Sequence, residues 1–280
     1  MRIANVRGRL TLLAGDRGID VETASKGRFA ADPQAIFHQW AAFRTWAREA
    51  PDAAGAPVAD ADLGAPAPRP AQVFAIGLNY RAHAAEAGLD LPDRPATFTK
   101  FPTCLAGPFA DVPLPPGMVD WEVELVVVIG IQAHRVAEDV AWRHVAGLTV
   151  GQDVSERILQ WGAGGQFSLG KSYPAFGPMG PWVVSVDELD DADNLQLTCA
   201  IDGTTVQDAR TSDLIFSVPR LIAELSAVLP LLPGDIIFTG TPAGVGISAK
   251  PPRFLQPGEV VESWIEGIGT IRNRFVAPTH

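Results

Sequence analysis

The stretch VDWEVELVVVIG, residues 119–130, decides the fold class. Its apolar run from Leu125 to Ile131 has the length of a strand and is too short for a membrane-crossing helix. Side chains alternate across a strand, so Glu122 and Glu124, two residues apart, emerge on one face. Two adjacent carboxylates beside Val, Leu and Ile repel each other and resist desolvation unless a cation sits between them, because an unpaired buried carboxylate costs several kcal/mol. A bound divalent metal resolves the conflict. The competing reading is an edge strand whose acidic face is simply solvated.

Similar strand-like runs surround this one: QVFAIG at 72, LTVGQD at 148, PWVVSV at 181, LQLTCAID at 195, GDIIFTG at 234 and VVESWIEG at 260, all punctuated by Gly and Pro. Helical patterns are few. Residues 79–86 predict a short helix capped by Asn79, residues 155–161 another, and residues 214–229 a longer one interrupted early by Pro219. With no βαβ alternation and no internal repeat, the pattern predicts an α+β, mainly β domain with peripheral helices.

Residues 1–70 read as a small N-terminal α+β domain, with strands near Ile3 and Leu10 and a helix that Asp32 caps with Pro33 in its first turn. Ile36, Trp40 and Phe43 give that helix one apolar face. The Ala-, Pro-, Asp- and Gly-rich residues 51–70 read as a poorly packing linker, which sets the larger domain at residues 71–280.

The chain has 280 residues, 47% of them hydrophobic, enough for a large core. Its 32 acidic against 22 basic residues leave a net charge of -10, and no Lys/Arg cluster exceeds a pair. This argues against nucleic acid or an anionic membrane as a partner and for a small metabolite. The start, MRIANVRGRLTLL, predicts neither a signal peptide nor a spanning helix. Cys104 and Cys199 lack metal or redox spacing and read as reduced thiols of a cytoplasmic protein.

Asp153 in GQDVSER is the natural third member of the Glu122 and Glu124 set, although the same aspartate can be a plain helix cap. Three carboxylates without His or Cys make a hard oxygen set suited to Mg²⁺, Mn²⁺ or Ca²⁺, and unsuited to zinc. His83 and Glu86, three apart on a predicted helix, share a face. A carboxylate behind an imidazole builds a general base for water, and the plain alternative is a surface pair. Lys171, in a Gly-rich loop, can polarise a substrate oxygen or be an ordinary exposed lysine. Lys100 and Arg157 with Gln160 are candidates to hold a substrate carboxylate. TGTPAGVG, residues 239–246, lets backbone approach a ligand and offers the Thr241 hydroxyl; it lacks the ending of a phosphate loop, and a tight turn is the simpler reading. Phe101, Trp161 and Phe167 line an acyl pocket or pack a core.

Five segments, IGLNYRAHAAE, VDWEVELVVVIG, GQDVSER, GKSYPAFGPMGPW and GDIIFTGTPAGVG, occur in an order that resembles the fumarylacetoacetate hydrolase family over residues 70–277. The resemblance implies a mixed β-sandwich roll with a small N-terminal domain, a homodimer or larger homo-oligomer, and Mg²⁺ or Mn²⁺ as cofactor. It implies Glu122, Glu124 and Asp153 as metal ligands, His83 and Glu86 as the water-activating dyad, Lys171 as the loop lysine and Thr241 as the threonine of a substrate-binding turn. Gln152 stands where relatives often carry Asn, and the Asp often found after the loop lysine is replaced within SYPAF, which leaves substrate identity open. The implied reaction is metal-dependent hydrolysis of a carbon-carbon bond in a 2,4-dioxo acid of the acylpyruvate type, releasing pyruvate and a carboxylic acid. A decarboxylase or isomerase of a related keto or enol acid is the alternative, and a non-catalytic keto-acid binder the third.

Overall fold

The Val123–Ile129 strand is buried at every residue, which a strand covered on one face only is not. In this computed structural model, which describes residues 1–49, 55–162 and 164–278, the strand lies between two neighbours, so the solvated-edge reading of its glutamates is set aside. Val145–Gln152 pairs with it on one side and Ile236–Phe238 on the other, both antiparallel. Ile236–Phe238 continues in parallel to Val73–Gly77, while Val145–Gln152 continues through Gly177–Val184 to Arg2–Val6. The strands near Ile3 and Leu10 therefore extend the central sheet.

A second sheet is built from Thr204–Arg210, Gln196–Ile201, Val260–Ile265, Gly269–Val276 and Val112–Pro113. Gln196–Ile201 and Val260–Ile265 alternate between buried and half-buried residues, the period of a sheet covered on one face. The two sheets stack. Leu125, Val127 and Ile129 join Leu197, Ile265 and Ile271 in one apolar cluster, and the intervening Val126 and Val128 join Ile3, Leu10, Trp40 and Phe43 in another. Layers on both faces thus explain the uninterrupted apolar run. The fold is a sheet-rich α+β arrangement of mixed sheets, and no helix among the described residues is long and apolar enough to cross a membrane. Cys104 and Cys199 are buried and free.

Several local expectations change. Of the expected linker, residues 51–54 lie outside the described residues, but the rest packs: Ala56–Pro57 pairs with Arg17 and Gly18, Leu63–Gly64 with Asn5 and Val6, and Ala65 and Ala67 are buried. Small side chains permit this, since a Cβ on Gly64 would stand 2.8 Å from the Asn5 amide nitrogen. Asp32 sets a turn by accepting the Gln34 N–H at 3.0 Å, and the chain then runs as a 3-10 turn, Ala35–Gln39, before the α-helix Trp40–Arg48. The helix after Asn79 is Arg81–Ala87 and has no side-chain cap. Pro219 does not interrupt its helix; Val218–Val228 is capped by Ser217, with the proline in the first turn where no N–H is needed. Ser155–Glu156 is a short strand, and the helix begins only at Arg157, its first amides satisfied by Glu156, which accepts from Ile158 at 3.1 Å and Leu159 at 2.7 Å.

Candidate metal and catalytic centre

Strand register assembles the acidic cluster. Val123 stands opposite Gln152, and just beyond this pair the Asp153 N–H donates to the Glu122 carbonyl at 2.9 Å, bringing Asp153 beside the two glutamates. One carboxylate oxygen from each of Glu122, Glu124 and Asp153 lies within 4.8 Å of the others, and all three residues are buried. Asp153 is no helix cap.

Cations surround two of the three. The Lys171 ammonium donates to Glu122 Oε2 and to Asp153 Oδ2, both at 2.7 Å. Lys100 donates to Asp153 Oδ1 at 2.7 Å and to the Lys171 carbonyl. Arg157 lies 2.7 Å from Glu122 Oε1 and donates through Nε to Asp120 Oδ2 at 2.9 Å. Burial alone would push the Glu122 carboxyl up, but Lys171 and Arg157 outweigh it and hold the group at about 2. Burial likewise opposes the charge of Lys171, and Asp153 and Glu122 overcome it, so the ammonium holds its proton above the ordinary lysine value.

Glu124 differs. Its Oε2 accepts the Gly240 N–H at 2.7 Å, and among the described residues it makes no ion pair. Burial first, then the charges of Asp153 and Glu122, push its carboxyl well above the usual range. An all-oxygen set with one buried member lacking a cation fits a hard divalent ion such as Mg²⁺, Mn²⁺ or Ca²⁺. The Gly240 contact needs glycine: φ is +105°, and a Cβ there would stand 2.7 Å from that of Asn79.

A cavity of about 530 Å³ opens beside the cluster, its polar end formed by Glu122, Lys171, Arg157, Gln160, Thr241 and His83. His83 Nδ1 lies 3.3 Å from Glu86 Oε2, so with the proton on Nδ1 the imidazole presents Nε2 as a free acceptor. Arg157 donates to Gln160 Oε1 at 3.0 Å, which leaves the Gln160 amide N–H groups to donate elsewhere. Thr241 donates to the Val123 carbonyl and accepts from Gln207, both at 2.9 Å. Lys171 is buried, contrary to an ordinary loop lysine. Lys100 is fully buried off the cavity wall, and its ammonium is committed to Asp153. Phe101 is also off the wall and exposed, whereas Trp161 and Phe167 line it.

Asp120 and Gln207 carry no assignment in the sequence analysis, and Asn79 only that of a helix cap, yet all three shape the site. Asp120 is fully buried and accepts from Arg157, Gly246 and Ile247, fixing the guanidinium beside Glu122; its place two residues before Glu122 was a signal. Asn79 donates to the Phe216 and Thr239 carbonyls at 3.0 and 2.7 Å, fastening the helix of His83 to the turn after Phe238. Gln207 comes from the second sheet, in a polar stretch, TTVQDAR, that carries no signal.

Comparison with known proteins completes the picture. The family model described as fumarylacetoacetate (FAA) hydrolase C-terminal matches residues 72–276. Mitochondrial oxaloacetate tautomerase from Bos taurus is 43% identical over 215 residues, 76% of this chain and 68% of the relative. A crystal structure of a Mycobacterium smegmatis protein provisionally named HpcE superposes with a TM-score of 0.96 at 52% identity, covering 100% of both chains. Maleylpyruvate hydrolase from Sphingobium sp. SYK-6, solved with manganese(II) and pyruvate, superposes with a TM-score of 0.83 at 29% identity, again over 100% of both chains.

Proposed function

The chain belongs to the fumarylacetoacetate hydrolase family, a family of enzymes, and from that premise we propose that it hydrolyses a carbon-carbon bond in a 2,4-dioxo acid of the acylpyruvate type. The observation that carries this reading is the meeting, in one cavity, of His83 backed by Glu86 with Glu122 of the buried carboxylate cluster. Solved with pyruvate and manganese(II), the maleylpyruvate hydrolase of similar fold supports the same class of product and cofactor.

Glu122, Glu124 and Asp153 would hold Mg²⁺ or Mn²⁺, which when bound supplies Lewis-acid stabilisation of negative charge developing on the substrate. Gln160, beside Arg157, orients the substrate carboxylate through its amide N–H groups. His83 Nε2 takes a proton from water, and the water oxygen forms its bond to C4 while the C4 carbonyl π pair moves onto its own oxygen; that pair returns to re-form the C=O bond as the tetrahedral species collapses. The C3–C4 bond then breaks, its electron pair passes to C3, and the acyl part leaves as a carboxylic acid. Lys171 faces the pyruvate enolate with an ammonium that keeps its proton, and C3 is protonated by the imidazolium, which restores the base. Positioned acid-base catalysis contributes ~100-fold and each electrostatic contact a similar factor.

His83→Ala should lower hydrolysis of acylpyruvates by at least ~100-fold with the fold retained. Full activity in that variant, together with loss of turnover on metal removal, would overturn the hydrolytic reading. The 43% identity to an oxaloacetate tautomerase supports a second one, tautomerisation of an oxaloacetate-like acid, which passes through an enolate without attacking water, as the alternative decarboxylation also would.

A further inference from the structure

Resting on the 2,4-dioxo acid reading, we infer that the arm of the substrate beyond C4 is apolar, an aryl or extended alkyl group, and not a second carboxylate. Three aromatic rings lead away from the polar end of the cavity in series. Lys171 Nζ stands 5.2 Å from the centre of the Phe98 ring, Phe98 packs edge-to-face on Phe167 at 5.5 Å, and Phe167 does the same on Trp161 at 4.9 Å. The series ends at the surface, where Trp161 is 55% exposed. Leu78, Leu89 and Ile247 add aliphatic wall.

Among the described residues, no cation free of a carboxylate partner accompanies this series. The basic groups on the wall are His83, Arg157 and Lys171. Arg157 and Lys171 are ion-paired to Glu122, and His83 is paired with Glu86. A carboxylate lodged among these rings and aliphatic carbons, short of the exposed Trp161, would lose its water without a charged partner, whereas a ring or alkyl chain gains by the same burial. The cavity, at about 530 Å³, has the size of sites that enclose whole metabolites and extends well beyond the polar end that a three-carbon acid occupies.

The test compares two 2,4-dioxo acids of equal length, one arm ending in phenyl and the other in carboxylate, by kcat/KM with Mn²⁺. Calorimetry runs beside it with two inert 2-oxo acids bearing the same ends. The phenyl arm should be preferred by roughly 10-fold or more in both measurements. Equal or reversed preference in binding overturns the inference whether or not hydrolysis occurs. Preferential binding of the phenyl acid without turnover of either dioxo acid leaves the inference standing and removes the hydrolytic reading. Trp161→Arg, at an exposed position, should shift the ratio several-fold toward the carboxylate arm, and an unchanged ratio in the folded variant counts against the proposal.

Discussion

Glu86 accepts the backbone N–H of Gly244 at 3.1 Å, so the helix that carries His83 is tied directly to the turn that carries Thr241. The bond depends on Gly244, whose φ is +101° and whose Cβ, if it had one, would lie 2.0 Å from the Val206 carbonyl oxygen. Gly244→Ala should therefore lower stability by about 1–3 kcal/mol, read as a shift in the urea midpoint, and reduce kcat as the dyad loses its anchor. Glu86→Gln keeps an acceptor for the same N–H. It should leave the midpoint within about 0.5 kcal/mol of the parent while lowering kcat at least ~10-fold, which separates the charge behind His83 from its scaffolding.

Gln207 joins the two sheets at the site. Its Oε1 accepts the Val123 N–H at 3.0 Å, and its amide nitrogen donates to Thr241 Oγ1 at 2.9 Å and to the Pro242 carbonyl at 3.0 Å. Gln207→Ala leaves the buried Val123 N–H, between Glu122 and Glu124, without a partner. The expected cost is about 1–3 kcal/mol in the denaturation midpoint, with Mn²⁺ affinity by calorimetry falling ~10-fold. An unchanged Mn²⁺ affinity would confine Gln207 to a structural role.

The carboxylate cluster is legible because its signal is local and contrary to type: acids where a buried strand wants none. Asp153 was legible because a strand-like run leads into it. The exposed-loop reading of Lys171 and the helix-cap reading of Asp153 give way for one reason, that sequence spacing carries no information on burial, and burial is what turns a lysine into a partner of two carboxylates. Lys100 shows the converse, since a cation near the site in space is consumed by Asp153 before any substrate meets it. Helix starts at Asn79 and Ser155 were misplaced because tertiary partners took the side chains that local rules assign to caps; Asn79 bonds Phe216 and Thr239, and Ser155 donates to the Asp153 carbonyl. The contribution of the second sheet through Gln207 lay beyond any local pattern.

Asp20 gives a pH dependence away from the site. Its carboxylate accepts from Arg9 at 2.6 Å and caps the following helical turn by accepting the Thr23 N–H at 2.9 Å. The hydrogen bond from Arg9, against opposing burial, holds its carboxyl well below the usual carboxylate range. A pKa lowered in the folded state means that the contribution is present above the unfolded value, ~3.9, and is lost as pH falls below it. Asp20→Ala should cost about 1 kcal/mol at pH 7, from the lost cap, and the gap to the parent in urea midpoint should close as the pH is taken well below ~3.9. A gap independent of pH would show that the charge contributes nothing.

Glu124 sets function against stability. Without an ion pair among the described residues, and pushed up by burial first and then by Asp153 and Glu122, it is the member of the cluster that the metal-free chain accommodates least well. Glu124→Gln keeps an oxygen for the Gly240 N–H and removes the charge, so in EDTA the variant should melt higher than the parent by a few degrees. Saturating Mn²⁺ should reverse the order, because the parent gains RT ln(1 + [L]/Kd) from binding while the variant, short of one anionic ligand, gains less. Equal Mn²⁺-induced shifts in the two proteins would remove Glu124 from the ligand set, and a lower melting temperature of the variant in EDTA would mean that its carboxylate already has a partner that stabilises it.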